Sequence, residues 1–144
     1  MKNLKIYCIS LNPLHKDLID KLGYIAVGLG DNNFNEDWYQ DKSGKSISSK
    51  NHHYGEYTFH YWLWKNKKID FEGWIGFCQY RKFWKKIETA PIDPTDNFEN
   101  LNKMVLKEIP KELENFESIL LEKQFVNQFR FSKFIKHNFK TMIC

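Results

Sequence analysis

The residues best suited to chemistry form the block Tyr80-Arg81-Lys82, two cations set just after the apolar run Gly73 to Phe77. A diphosphate leaving group needs its developing charge neutralised as it departs. An arginine fork can grip two phosphate oxygens at once, and a lysine adds a point charge. The competing reading is a solvated strand end, because surface cations seldom carry specific energy.

Other clusters point to chemistry less well. Gly44-Lys45-Ser46 ends like a phosphate-binding loop, but Tyr39 stands where that motif needs its first glycine, and no strand is read immediately upstream. Asp31-Asn32-Asn33-Phe34-Asn35-Glu36 opens like a calcium loop, but Glu36 occupies the glycine position and Lys42 that of the closing glutamate. His52, His53 and His60 lack any accompanying metal-ligand spacing. His53 and Glu56 lie one helical turn apart, which suits a capping or surface role. Asp93 and Asp96 flank Pro94 and read as turn chemistry rather than as a metal or acid–base pair.

The elements that must position these residues alternate in type. Lys5 to Leu11 and Tyr24 to Leu29 read as buried strands, with a helix from His15 to Leu22 between them. Leu14, Leu18 and Leu22 give that helix its apolar spacing, and Gly23 stops it. Gly30 to Ser49 is polar and reads as a long loop. Tyr54 to Asn66 reads as a helix capped by Asn51 or Ser49, with Tyr57, Tyr61 and Trp64 on one stripe and Lys65, Lys67 and Lys68 at its end. Its aromatics place it between layers. Gly73 to Phe77 is the third strand, and Lys85 to Asn97 a proline-bearing loop. Helices are expected over Phe98 to Ile109, Lys111 to Phe116 and Phe125 to Phe139, with a short strand at Ser118 to Leu121. Such alternation predicts an α/β layered fold with a mainly parallel sheet. Ligands on such sheets bind beyond the carboxyl ends of the strands. That gathers Ser10, the Gly30 to Asp41 loop and the Gln79 to Trp84 block around one crevice.

The 144 residues fit one domain, 1–144. Aromatic residues make up 17% of the chain, enough to supply a ring-rich core and still leave rings to stack on sugars or bases. The net charge of +4 is weaker than that of a dedicated nucleic-acid binder, so no nucleic acid is expected as partner. It suits an anionic substrate and allows loose attraction to an anionic membrane surface. Cys8 and Cys78 sit in apolar runs and read as small buried hydrophobes, which implies a reducing, cytoplasmic setting. The N-terminus reads as a strand rather than a signal peptide, and no apolar run reaches the length of a membrane span.

Two stretches resemble a family. One runs from Asp41 to Asn51 into Glu56-Tyr57-Thr58 and Tyr61-Trp62-Leu63-Trp64-Lys65-Asn66; the other is Trp74-Ile75-Gly76-Phe77-Cys78-Gln79-Tyr80-Arg81-Lys82-Phe83. Together they are similar to a domain family first described without a function, found in capsular and exopolysaccharide gene clusters and grouped with bacterial glycosyltransferases, including galactosyl- and galactofuranosyl-type enzymes. The resemblance is best over residues 5–84. Gln79 stands where the family pattern has histidine, Lys82 where it has a second arginine, and Ser10-Leu11-Asn12 where it has Thr-His-Lys. The family is longer, so the chain is expected to be a C-terminally incomplete or short member.

The resemblance implies a glycosyltransferase-A-like, Rossmann-related fold and transfer of a sugar from a nucleotide-diphosphate donor to a glycan or lipid-linked acceptor. Ser10 would border the nucleotide, Asn51 and Glu56 would order the loop or touch the sugar, Tyr80 would stack, and Arg81 and Lys82 would bind the diphosphate. No cofactor is expected. A divalent metal stays open as an alternative, but Gln79-Tyr80-Arg81 occupies the place where related enzymes carry a metal-binding Asp-x-Asp. The expected location is cytoplasmic, at the inner face of the membrane. The rival readings are a nucleotide-sugar or glycan-binding module without turnover, and an aromatic-rich interaction protein with no ligand.

Overall fold

β1 (Leu4–Ser10) is the strand around which the rest is built. Its residues from Ile6 to Ser10 are all buried, as a central strand covered on both faces requires. In the computed structural model, which describes residues 3–69, 72–80, 82–86 and 97–121, β1 pairs in parallel with β2 (Ile25–Gly28) on one side and β4 (Trp74–Gln79) on the other. A two-residue strand, β3 (Tyr39–Gln40), adds in parallel to β2, giving the order β3-β2-β1-β4. The chain divides into two compact units, Met1–Glu114 and Asn115–Cys144.

Side chains alternate across β1 and define two cores in the first unit. Ile6 and Cys8 pack with Ile19, Leu22, Ala26, Cys78, Leu101 and Val105, where α1 (Lys16–Lys21) and α4 (Phe98–Met104) supply the cover. Tyr7 and Ile9 point the other way, onto Phe59, Trp62 and Leu63 of α3 (Tyr57–Lys65). The result is the expected α/β layered, Rossmann-related architecture: an all-parallel sheet between helical layers. Tyr24 closes the first core. Its hydroxyl donates to the Leu106 carbonyl at 2.8 Å, and burial pushes its pKa well up.

Several elements depart from the sequence expectation. Leu14 is 86% exposed; Leu22 is buried as its place in the apolar spacing implies, and Ile19, outside that spacing, is buried with it. The polar stretch from Gly30 to Ser49 is not only loop: it carries β3, buries Trp38 against the core and buries Asp41. β3 therefore does precede Gly44-Lys45-Ser46, but Tyr39 still fills the glycine position of a phosphate loop. The helix expected from Tyr54 to Asn66 is two, α2 (Asn51–Tyr54) and α3, broken at Gly55 with φ +54°. A residue with a Cβ is strained at that φ, so the corner selects glycine. The buried face of α3 is Thr58, Phe59, Trp62 and Leu63; Tyr57 and Trp64, read as facing between layers, are each 67% exposed.

The later segments are less regular than their periodicity suggests. α4 ends at Met104, because Val105 leaves helical geometry to form a bridge with Lys85. A single 3₁₀ turn, Lys111–Leu113, stands where a helix was expected to Phe116. Of the second unit, residues 115–121 are described; Ser118 to Leu121 forms no strand, and Leu120 and Leu121 are exposed. Positions 87–96 of the proline-bearing loop and the expected helix from Phe125 to Phe139 lie outside the described residues.

The polar loop is held to α3 by side chains. Asn66 accepts from the Lys45 N–H at 2.9 Å and donates back to the Lys45 carbonyl at 2.9 Å, clasping the Gly44 turn. Trp62 Nε1 donates to the Ser43 carbonyl at 2.7 Å. The two ends of the first stretch, the loop after Asp41 and the end of α3, are thus held together by side chains.

Candidate functional site

The strand order places a discontinuity beside β1. The chain steps from β1 outward to β2 and β3, then returns to lay β4 on the opposite side. In open α/β sheets the crevice at such a reversal is where ligands bind, outside the carboxyl ends of the strands. The register brings Ser10 of β1 level with Gly28 of β2, and Ile9 level with Gln79 of β4, so the three strands end together.

A cleft of about 990 Å³ opens there. Four segments line it: the end of β1 with the turn into α1, Leu29 just after β2, the run from α2 through the Gly55 corner into α3, and Gln79 and Tyr80 at the end of β4. Four expected site residues, Ser10, Asn51, Glu56 and Tyr80, line this one cleft although they are spread over 70 positions of sequence. Lys82 does not line it. The Lys82 N–H donates to the Gln79 carbonyl at 2.8 Å, so the chain turns back on itself and leaves Lys82 exposed in the turn. Arg81 lies outside the described residues. The Gly30 to Asp41 loop contributes no lining residue either; its β3 end borders a separate, shallower hollow with Lys42 and Lys68.

Each lining side chain has a local reason for its place. Ser10 is 3% exposed, and its hydroxyl lies 2.8 Å from His15 Nδ1. Asn12 caps the 3₁₀ turn Pro13–His15, its side chain accepting from the Leu14 N–H at 3.0 Å. Pro13 begins that turn, where a missing N–H costs nothing. The turn carries His15 over the cleft, flat on Tyr80. The Tyr80 N–H continues the sheet ladder by donating to the Ile9 carbonyl at 2.8 Å.

On the opposite wall Asn51 works as a brace. Its amide donates to the Gly55 carbonyl at 2.8 Å and to Thr58 Oγ1 at 3.1 Å, tying α2 to α3 across the corner. Beyond the corner, Glu56 accepts a hydrogen bond from the Gln79 amide, which joins the two walls. Behind it, burial holds the His60 imidazole below its ordinary pKa, with Glu56 pulling the other way. His60 Nε2 is buried without a hydrogen-bond partner, and its ring meets Phe77 edge-on at 4.5 Å.

His15 was not singled out as a site residue. The available signal was a histidine two positions after a strand-terminating Asn-Pro, at the carboxyl end of a buried strand. Among the described residues no group of three or more His, Cys, Asp or Glu side chains is placed to hold an ion, and the end of β4 offers an amide and a phenol rather than carboxylates. Among the described residues no helix is long and apolar enough to cross a membrane.

A family model described as a domain of unknown function (DUF4422) matches residues 5–143. The chain belongs to that family. The DUF4422 match extends well past residue 84, where the motif resemblance ends, so the later segments belong to the family domain as well. No curated protein and no solved structure matches this DUF4422 chain.

Proposed function

We propose that the chain is a glycosyltransferase of surface-polysaccharide biosynthesis that binds a nucleotide-diphosphate sugar, with galactose or galactofuranose as the transferred group. The observation that carries this reading is the convergence of Ser10, Asn51, Glu56 and Tyr80 on one cleft at the reversal between β1 and β4. Such a crevice favours a nucleotide, whose flat base and charged phosphates suit a mixed apolar and polar wall. Arg81 and Lys82 neutralise the departing diphosphate, in place of a metal ion. Lys82 approaches from the turn rather than from the cleft wall.

The acceptor is a glycan or lipid-linked sugar presented at the cytoplasmic face of the membrane. Supporting peripheral attachment, α3 exposes Tyr57 and Trp64 and leaves Tyr61 half-buried, on a segment that carries Lys65, Lys67 and Lys68 and no acidic residue from Tyr57 to Ile69. Interfacial aromatics beside lysines suit an anionic bilayer. Co-sedimentation with anionic but not neutral vesicles, lost on Trp64→Ser with Lys65→Glu, checks that attachment.

Calorimetry with uridine- and other nucleotide-diphosphate sugars tests the central reading, followed by assay of donor consumption. Donor binding that is abolished by Arg81→Ala and insensitive to chelator supports it. Binding that survives Arg81→Ala but vanishes with chelator would put a metal in the place given to these cations. A second reading, donor binding without turnover, is favoured by Gln79 at the position where the family pattern has histidine. Binding without donor consumption would select it.

A further inference from the structure

A second hollow, of about 550 Å³, lies at the β3 edge of the sheet and shares no lining residue with the cleft. Its size falls in the range of ligand sites, about 300–1,000 Å³. β3 forms one side, Lys42 and Ser43 of the loop another, and Trp62 and Lys68 the α3 side. These walls are held in place. Trp62 Nε1 donates to the Ser43 carbonyl at 2.7 Å, and Asn66 clasps the Gly44 turn. The end of α3 fixes the backbone at Lys68. The Lys67 N–H donates to the Trp64 carbonyl at 3.3 Å and the Lys68 N–H to the Leu63 carbonyl at 3.0 Å. Glycine usually supplies the left-handed residue of that closing pattern; here it is Lys67, at φ +48°. The Lys68 ammonium then stands 5.7 Å from the centre of the Trp62 ring.

The hollow exposes one aromatic ring. Trp38 and Trp62 are buried, whereas Tyr39 is 44% exposed. Two neighbours at steep angles set the Tyr39 plane: Tyr7 at 5.8 Å and 72°, and Trp62 at 6.4 Å and 80°. Gln40, Ser43, Lys42 and Lys68 supply hydrogen-bonding groups around it. A fixed flat ring bordered by such groups fits a sugar, whose C–H face packs on the negative face of the ring while its hydroxyls keep to the wet edge. The charges select further. Asp37 is taken by Lys16 at 3.4 Å, whereas Lys42 and Lys68 form no ion pair among the described residues. Two ammonium groups therefore face one uncommitted carboxylate, Glu36. We propose that this hollow binds a glycan segment bearing a sugar carboxylate, its ring seated on Tyr39 and its carboxylate held by Lys42 and Lys68. The site lies apart from the cleft, so it stands independently of the glycosyl-transfer reading.

The test is a titration of the full ¹⁵N-labelled chain with trigalacturonate and, in parallel, with neutral galactotriose. Trigalacturonate should move the Trp62 indole N–H and the backbone signals of Tyr39, Lys42 and Lys68. It should bind about 10-fold more tightly than the neutral trimer, the scale of two exposed ion pairs. Lys42→Ala with Lys68→Ala should remove that preference. Tyr39→Ala should weaken both trimers, and Tyr39→Phe, which keeps the ring and its packing, should bind like the wild type. Lys103→Ala, an exposed lysine of α4 that does not line the hollow, should leave affinity unchanged. Equal affinity for the two trimers overturns the proposal by removing the role of the cations. An equal loss in Lys103→Ala overturns it by reducing the effect to bulk charge attraction. A response confined to Ser10, Asn51 and Tyr80 puts the glycan in the cleft and overturns it, as does no response to millimolar trimer. If a uridine-diphosphate sugar moves the same Trp62 signal, the hollow is a nucleotide site instead. Failure of nucleotide sugars to bind the cleft removes the transfer reading alone, and loss of the hollow's response removes this proposal alone.

Discussion

The His15 imidazole lies on the Tyr80 ring with centres 3.4 Å apart and planes 9° from parallel. The contact joins the turn after β1 to the end of β4, the two strands that flank the sheet reversal. Tyr80 thereby spends one face on His15 and meets Phe83 edge-on at 5.9 Å. A donor base could stack on it only from the other side. Tyr80→Phe should leave the His15 ring-proton shifts near wild type, because the ring current is kept. Tyr80→Ala should move them downfield. Histidine-selective NMR makes the comparison.

His60 gives a pH dependence of stability with a definite sign. Burial lowers its pKa from the ordinary value of about 6.5, so on acidification the unfolded chain takes up a proton before the folded chain does. The stability linked to this group is complete above about 6.5 and declines as pH falls from there toward the lowered folded value. His60→Phe removes the titrating group and the orphaned Nε2. Thermal midpoints measured across that window should fall less steeply for the variant than for the wild type.

Cys8 and Cys78 sit opposite each other in the β1–β4 register, both buried. A hydrogen bond with Cys8, reinforced by burial, pushes the Cys78 thiol well above its usual pKa. Thiolate is the reactive form, so native alkylation should be slow. Peptide mapping after iodoacetamide should find both positions unmodified in native buffer and modified in denaturant.

Asp41 is 1% exposed, and neither of its carboxylate oxygens has a hydrogen-bond partner. A buried charge without a partner is destabilising, and asparagine removes the charge at nearly equal volume. Asp41→Asn should raise the thermal midpoint. A fall would mean that the carboxylate is matched by a cation in solution.

Asn66→Ala should destabilise the chain by about 1–2 kcal/mol, the scale of losing several partly exposed hydrogen bonds at once. Denaturant titration measures the change. Urea slopes matching the wild type would confine the effect to stability.

The layered fold was legible because buried parallel strands write themselves as short apolar runs, as in Ile6 to Ile9 and Ala26 to Val27. Ser10, Asn51, Glu56 and Tyr80 were legible as cleft residues through motif resemblance and the rule that such sheets bind ligand at their carboxyl ends. β3 was missed because two residues leave no periodicity, and Trp38 and Asp41 are buried amid polar neighbours. α3 was expected between layers because its aromatics fall on more than one face, yet only the side with Thr58, Phe59, Trp62 and Leu63 is buried. Tyr57, Tyr61 and Trp64 have helical spacing as good as that of Phe59, Trp62 and Leu63, and period alone cannot say which stripe meets the sheet. His15 went unnoticed because its partners, Ser10 and Tyr80, come together only through the turn at Pro13 and the return of β4.

The clasp of Asn66 on the Gly44 turn means that the shape of that loop is encoded 21 positions away from Lys45, the residue it grips. The turn is therefore not a portable part. Transplanted into another scaffold without the end of α3, the same residues would lack the template that folds them. A homologue that changed either the turn or position 66 would have to change the other.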